Sequence, residues 1–167
     1  FGNWDWNNCV EMIPVHSAPG KFWTVRYVAD PANGFKFCAL REWNGDFTGL
    51  GNDTGYTVAN GNCFVAEAGL YTMIVDLNAG AVTIAPAQIY GMGDAFGGWN
   101  EGSYPFTVNA DGTASIVTTA AGNLRMYVET DGPNNWWHSE FNIYDGAIVY
   151  RAGGGDQEAV AVSAGQT

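Results

Sequence analysis

With 167 residues, 47% of them hydrophobic and 14% aromatic, the chain is long enough for one large domain or two small ones and can bury a real core. Six basic and 17 acidic residues give a net charge of −11, a field that repels phosphate backbones and anionic lipid and so argues against nucleic acid as a ligand. A neutral ligand such as a sugar is unaffected.

Taken in chain order, the elements read as strands. Phe22-Trp23-Thr24-Val25-Arg26-Tyr27-Val28 alternates with the two-residue period of a half-buried strand, and Trp23 is expected in the core. Phe35-Lys36-Phe37-Cys38-Ala39-Leu40 is a second strand, with Phe35, Phe37 and Ala39 on one face and Lys36 on the other. Leu70 to Leu77 and Ala81 to Ile84 form a hairpin across Asn78-Ala79-Gly80, where Gly80 is free to adopt positive φ. Asp111-Gly112 marks another turn. Near the middle of the second half, Leu124, Met126 and Val128 face one way, and Arg125 and Tyr127 the other. High Gly, few Lys or Glu and no sustained helical period make the chain all-β.

Self-similarity organises these strands. Phe1-Gly2-Asn3-Trp4 matches Phe96-Gly97-Gly98-Trp99, and Gly34-Phe35-Lys36-Phe37 matches Asn123-Leu124-Arg125-Met126 in pattern. Trp43-Asn44-Gly45-Asp46-Phe47 matches Trp137-His138-Ser139-Glu140-Phe141, and Ala68-Gly69 matches Ala164-Gly165. Offsets of 95, 89, 94 and 96 give a period near 95. Two tandem units follow, 1–86 and 87–167, with the boundary near Pro86-Ala87. The first is expected to lack its opening strand and the second its closing hairpin. The natural protein is therefore expected to extend beyond both ends.

Trp in turn-rich, polar surroundings is the conspicuous chemical feature. Trp4 and Trp6 sit among Asn and Asp, Trp43 precedes Asn44-Gly45, Trp99 follows Gly97-Gly98, and Trp136-Trp137 follows Gly132-Pro133-Asn134-Asn135. An exposed indole is a flat, rigid apolar face that stacks on the C–H face of a pyranose. The bland alternative is a structural Trp at a strand end. Trp136 has no match in the first unit, which argues against a scaffold role. The matched cations Lys36 and Arg125 are candidate donors to sugar hydroxyls, and Tyr127 is expected to complete a platform beside Arg125. The alternative for the cations is an ordinary salt-bridged strand residue.

Catalysis has little support. His16 and His138 are isolated, and no nucleophile elbow, Walker loop or zinc pattern is present. Gly91-Met92-Gly93 resembles part of a dinucleotide fingerprint but has no helix after it. Asn52-Asp53-Thr54 is a formal glycosylation sequon of a kind that arises by chance. Cys9, Cys38 and Cys63 read as small buried hydrophobes, or as one disulfide plus a free thiol. No cofactor and no metal are expected.

Together, Ile89-Tyr90-Gly91-Met92-Gly93-Asp94-Ala95 with Gly98-Trp99-Asn100, the Phe35-Lys36-Phe37 strand, the later Trp and the hairpin Tyr71–Leu77 to Val82–Ile84 resemble a known repeat. It is that of the SusE/SusF-like outer-membrane starch-binding lipoproteins of Bacteroidetes. The resemblance covers essentially the whole chain, as two partial units. It implies tandem Ig-like β-sandwich modules, lipid-anchored to the outer membrane through a segment outside this chain and facing outward. Such modules are non-catalytic and cofactor-free, and they hold α-glucan for a neighbouring transporter and surface amylase. The family site, two aromatics with a Lys or Arg and amide side chains, falls on Trp99, Arg125 and Trp136 or Trp137 in the second unit. In the first it falls on Trp4, Lys36 and Trp43. Two other readings stand beside this one. A structural or protein-interaction Ig-like module calls for a large flat apolar patch. A glycoside-hydrolase fragment calls for two carboxyl groups about 5–10 Å apart in a cleft.

Overall fold

The structure, a computed structural model, describes residues 2–167. Phe1, the first residue of the expected Phe-Gly-x-Trp match, lies outside the described residues. Among the described residues the regular structure is β-strand and short 3-10 turns, with no α-helix. This is the all-β class expected from the alternation of apolar and polar residues, arranged as the tandem Ig-like sandwiches that the family resemblance implied.

Two compact units divide the chain. One takes the residues up to Met12 together with Gly20–Pro86, and the other takes Ile13–Pro19 together with Ala87–Thr167. The segment Ile13–Pro19 thus departs from a strictly linear division.

In the first unit, Lys21–Val28 pairs antiparallel with Gly69–Asp76, which pairs in turn with Ala81–Pro86. Met73, Val75, Val82 and Ile84 of this sheet pack against Phe35, Phe37, Cys63 and Val65 of the short facing strands. That is how a sandwich buries one face of each layer. Trp23 is buried, as expected. Asn78-Ala79-Gly80 is the expected turn, with Gly80 at φ 60° and Asp76 accepting the backbone N–H groups of Asn78 and Ala79.

The second expected strand is shorter than its sequence suggests. Regular pairing covers only Phe37–Cys38, against Asp46–Phe47, and Phe35 bridges Cys63. Ala39 and Leu40 are exposed, whereas Ala39 was expected on the buried face with Phe35 and Phe37. The chain leaves the pleat there, because Trp43–Gly45 forms a 3-10 turn and the Ala39 N–H donates to the Gly45 carbonyl.

In the second unit the sheet order is Tyr104–Pro105, Ile89–Met92, Gly122–Val128, Glu140–Tyr144, Ala147–Tyr150, and Val160–Val162 adds to the start of Gly122–Val128. Gly122–Val128 is central and is covered on both faces at its far end. Leu124, Met126 and Val128 are buried on one face, while Tyr127 is buried on the other.

Candidate functional site

In the first unit the turn-rich start and the Ala39–Gly45 excursion meet. Asp5 accepts hydrogen bonds from the Asn7 backbone at 2.9 Å and from the Asn7 and Asn8 amides, which fixes the Trp6–Asn8 turn. The preceding Asn3 and Trp4 both have left-handed backbones, φ 52° and 61°. That geometry is uncommon for a bulky residue and costs of order 1 kcal/mol or more. Its result is that the Trp4 indole is 49% exposed. Trp43 is exposed as well, and its ring meets that of Trp6 in an edge-type contact with centroids 5.0 Å apart. Trp4, Trp6 and Trp43 line one cleft with Asp5, Asn7, Arg41 and Glu42.

Lys36 approaches this group through Trp43. Its Nζ lies 5.9 Å from the Trp43 ring centroid and 2.6 Å from Asp46 Oδ2. Hydrogen bonding from Lys36 holds the Asp46 carboxyl below its ordinary range, opposed by desolvation and helped by the charge of Lys36. An ammonium has three donors and Asp46 takes one, so two remain for a ligand. The Asn7 and Asn8 amides are less free, being engaged with Asp5.

In the second unit Arg125 holds the same place. Its guanidinium lies 5.7 Å from the Trp136 ring centroid. Its Nη1 donates to Glu140 Oε1 at 2.7 Å, and both Nη atoms reach Asp156. Glu140 is fully buried and is held on its other oxygen by Arg151 at 2.9 Å. The sequence match set Lys36 against Arg125 and Asp46 against Glu140, and both ion pairs form. The match also set Trp43 against Trp137, yet the indole over the cation is Trp136. Trp137 sits at right angles beside it, centroids 6.1 Å apart, and touches His138 on its other side.

Trp99 is 44% exposed, and its indole N–H donates to Asp94 at 3.0 Å. Its loop springs from Ile89–Met92, the strand in which Met92 registers with Arg125. Two residues on, the Glu101 carboxylate accepts the backbone N–H groups of Asn134 and Asn135, immediately before Trp136. That clasp brings the Trp99 and Trp136 loops together.

Tyr127 departs from expectation. It is only 1% exposed, stacks on Tyr90 and accepts a hydrogen bond from the Gly102 backbone at 2.7 Å. The outward face of the strand is open at Arg125 but covered at Tyr127 by the loop after Trp99. Tyr127 therefore supports that loop from below and offers no platform.

Sequence reasoning placed the cations and exposed indoles, named Trp6 among the loop indoles without giving it a place in a site, and passed over Asp46, Glu140 and Glu101 as site residues. For Asp46 and Glu140 the signal was present, as the acid before Phe in both copies of the Trp-x-x-acid-Phe match. Among the described residues no group of three or more His, Cys, Asp or Glu is placed to hold a metal ion.

A family model described as SusF/SusE starch specific CBMs matches residues 1–83 and 88–167. The outer membrane protein SusF of Bacteroides thetaiotaomicron is 31% identical over 174 residues, covering 93% of this chain and 36% of that protein. The crystal structure of SusF from the same organism matches with a TM-score of 0.81 at 29% identity, over 93% of this chain and 39% of the other. The chain thus spans little more than a third of these relatives.

Proposed function

The chain belongs to the SusF/SusE family of starch-specific carbohydrate-binding modules, and from that premise we propose that it is a non-catalytic, cell-surface protein of the outer membrane that holds starch-type α-glucan. In this reading each unit carries a site: Trp4, Lys36 and Trp43 in the first, and Trp99, Arg125 and Trp136, flanked by Trp137, in the second. The bound chain is kept at the surface for a neighbouring outer-membrane transporter.

The observation that carries the reading is the repetition of one device. In both units a cation lies within 6 Å of an indole and is steadied by a carboxylate at the matched position. An exposed second Trp comes from the Phe-Gly-x-Trp position in each case. Indoles offer apolar faces to the sugar rings, and the cation offers donors to the hydroxyls. Separated aromatics around a cleft suit a curved glucan better than they suit a flat protein interface. The buried carboxylate Glu140, held by two arginines, is badly placed to serve as a glycosidase acid.

Isothermal titration with maltoheptaose tests this. The wild type is expected to bind two equivalents, and Trp43→Ala and Trp136→Ala one each, with the double variant silent. A folded wild-type chain that takes up no maltoheptaose sinks the reading.

A further inference from the structure

The second unit steadies its cation with more machinery than the first. Lys36 is held by Asp46, whose side chain is 18% exposed, so water reaches that carboxylate. Glu140, at the matched position, is fully buried. A buried carboxylate is stable only when it is paired and hydrogen-bonded. Arg125 Nη1 takes Oε1 at 2.7 Å, and Arg151 Nη1 takes Oε2 at 2.9 Å. The fold puts Arg151 there. Its backbone N–H donates to the Glu140 carbonyl at 2.9 Å, one step beyond the Phe141–Tyr150 pair of the two strands. Asp156 Oδ1 then accepts from both arginines, at 2.9 Å from Arg125 and 3.0 Å from Arg151.

We propose that Arg151 is a positioning residue of the second site: by occupying one Glu140 oxygen it keeps Arg125 from closing on both. A guanidinium fork matches a carboxylate with two parallel bonds. Without Arg151, Glu140 offers both oxygens, and Arg125 turns its forked edge onto them. That rotation carries the guanidinium off Asp156 and out of its place 5.7 Å from the Trp136 ring centroid. With Arg151 present, Arg125 gives one bond to Glu140 and two to Asp156. A guanidinium has five N–H donors, so two remain for sugar hydroxyls. Arg151 itself bonds to the two acids and acts through them.

The effect of Arg151 on affinity rests on the glucan reading, whereas its hold on Arg125 does not, so each has its own readout. In chains carrying Trp43→Ala, which silences the first site, Arg151→Met is expected to weaken maltoheptaose about tenfold, because Arg125 must be repositioned on binding. Arg151→Lys returns a cation to Glu140 Oε2 and is expected to stay within about threefold of the parent. Adding Glu140→Gln to Arg151→Met leaves one acceptor oxygen in place of two and is expected to recover most of the loss. Parent-like binding by Arg151→Met, or a double variant as weak as the single one, overturns the proposal.

The second readout needs no ligand. The Arg125 Nε–H resonance in proton–nitrogen correlation spectra, assigned by its loss in Arg125→Lys, feels the ring current of Trp136. It is expected to move in Arg151→Met and to return in the double variant, and an unmoved resonance overturns the proposal. Should Arg151→Met not fold by circular dichroism, Arg151→Lys and the double variant carry both readouts. Weak binding and a displaced resonance in those two, once folded, overturn it. Should the folded parent take up no maltoheptaose while the resonance moves as expected, the positioning role stands and the glucan reading falls.

Discussion

A single phenol shows how one residue can pass from expected ligand to internal support. Alternation sends Tyr127 to the face opposite Leu124 and Met126, and it does point there, but the loop at Gly102 covers it. Burial raises its pKa to about 12, opposed by the hydrogen bond from Gly102 and helped by the nearby Glu101 and Glu129. A folded-state pKa above the unfolded value of about 10 contributes stability that is complete below pH 10. That stability is lost as pH rises through about 12. A phenolate absorbance titration should therefore show Tyr127 ionising late, and Tyr127→Phe should diminish the late component, leaving the part due to Tyr56, whose phenol burial also pushes up. The same variant leaves the Gly102 N–H without its acceptor and is expected to cost about 1–2 kcal/mol in denaturant melts, with maltoheptaose affinity little changed. The alternation of the strand was legible in the sequence. The cover was not, because it comes from a loop some 25 positions away in the chain. Lys36 and Arg125 were legible for the opposite reason: two copies of one pattern stood in one chain, and a cation kept in both asks for a cause.

Turns set where the indoles stand. Gly93 has φ 128°, and a Cβ there would come within 2.2 Å of the Asn123 carbonyl oxygen. Its carbonyl accepts from Phe96 and Gly98. The Gly91-Met92-Gly93 run is thus a close backbone crossing that launches the Trp99 loop, which accounts for a motif that only looked like a nucleotide fingerprint. At the sequon, Asn52 and Thr54 are bound to the Ala81–Pro86 strand and its turn, and Asp53 accepts three backbone N–H groups. Both motifs were visible as letters, but their role lay in which strand they touched. The Glu101 clasp is of the same kind. Glu101→Ala removes both bonds to the Asn134-Asn135 backbone without deleting any indole. With the first site silenced by Trp43→Ala, this change is expected to weaken maltoheptaose about three- to tenfold, since a loop must then be ordered on binding. An unchanged affinity by titration calorimetry would mean that the Trp99 and Trp136 loops hold their places without it.

At the scale of the molecule, repetition and charge together predict how a long glucan binds. If the proposed site of indoles and one steadied cation meets a neutral polymer, association gains nothing from the net charge of −11 and is expected to be nearly flat between low and high salt. On the proposed reading, two such sites in one chain would turn the second contact on a long glucan into an intramolecular event, whose advantage depends on effective concentration and needs no new contact. The same advantage is absent for an oligosaccharide that fills only one site. Silencing one site should then have two different consequences. With maltoheptaose, Trp43→Ala should halve the stoichiometry and leave the remaining affinity as it was. With soluble amylopectin, the same change should weaken apparent affinity by about tenfold or more, since the gain from linkage is lost. If both ligands lose only half their binding capacity, the units act as separate modules that happen to share a chain. The repeat was legible at this scale because each copy must bury its own core. Whether the copies cooperate is a property of the ligand's length as much as of the fold, and comparison of the two titrations measures it directly.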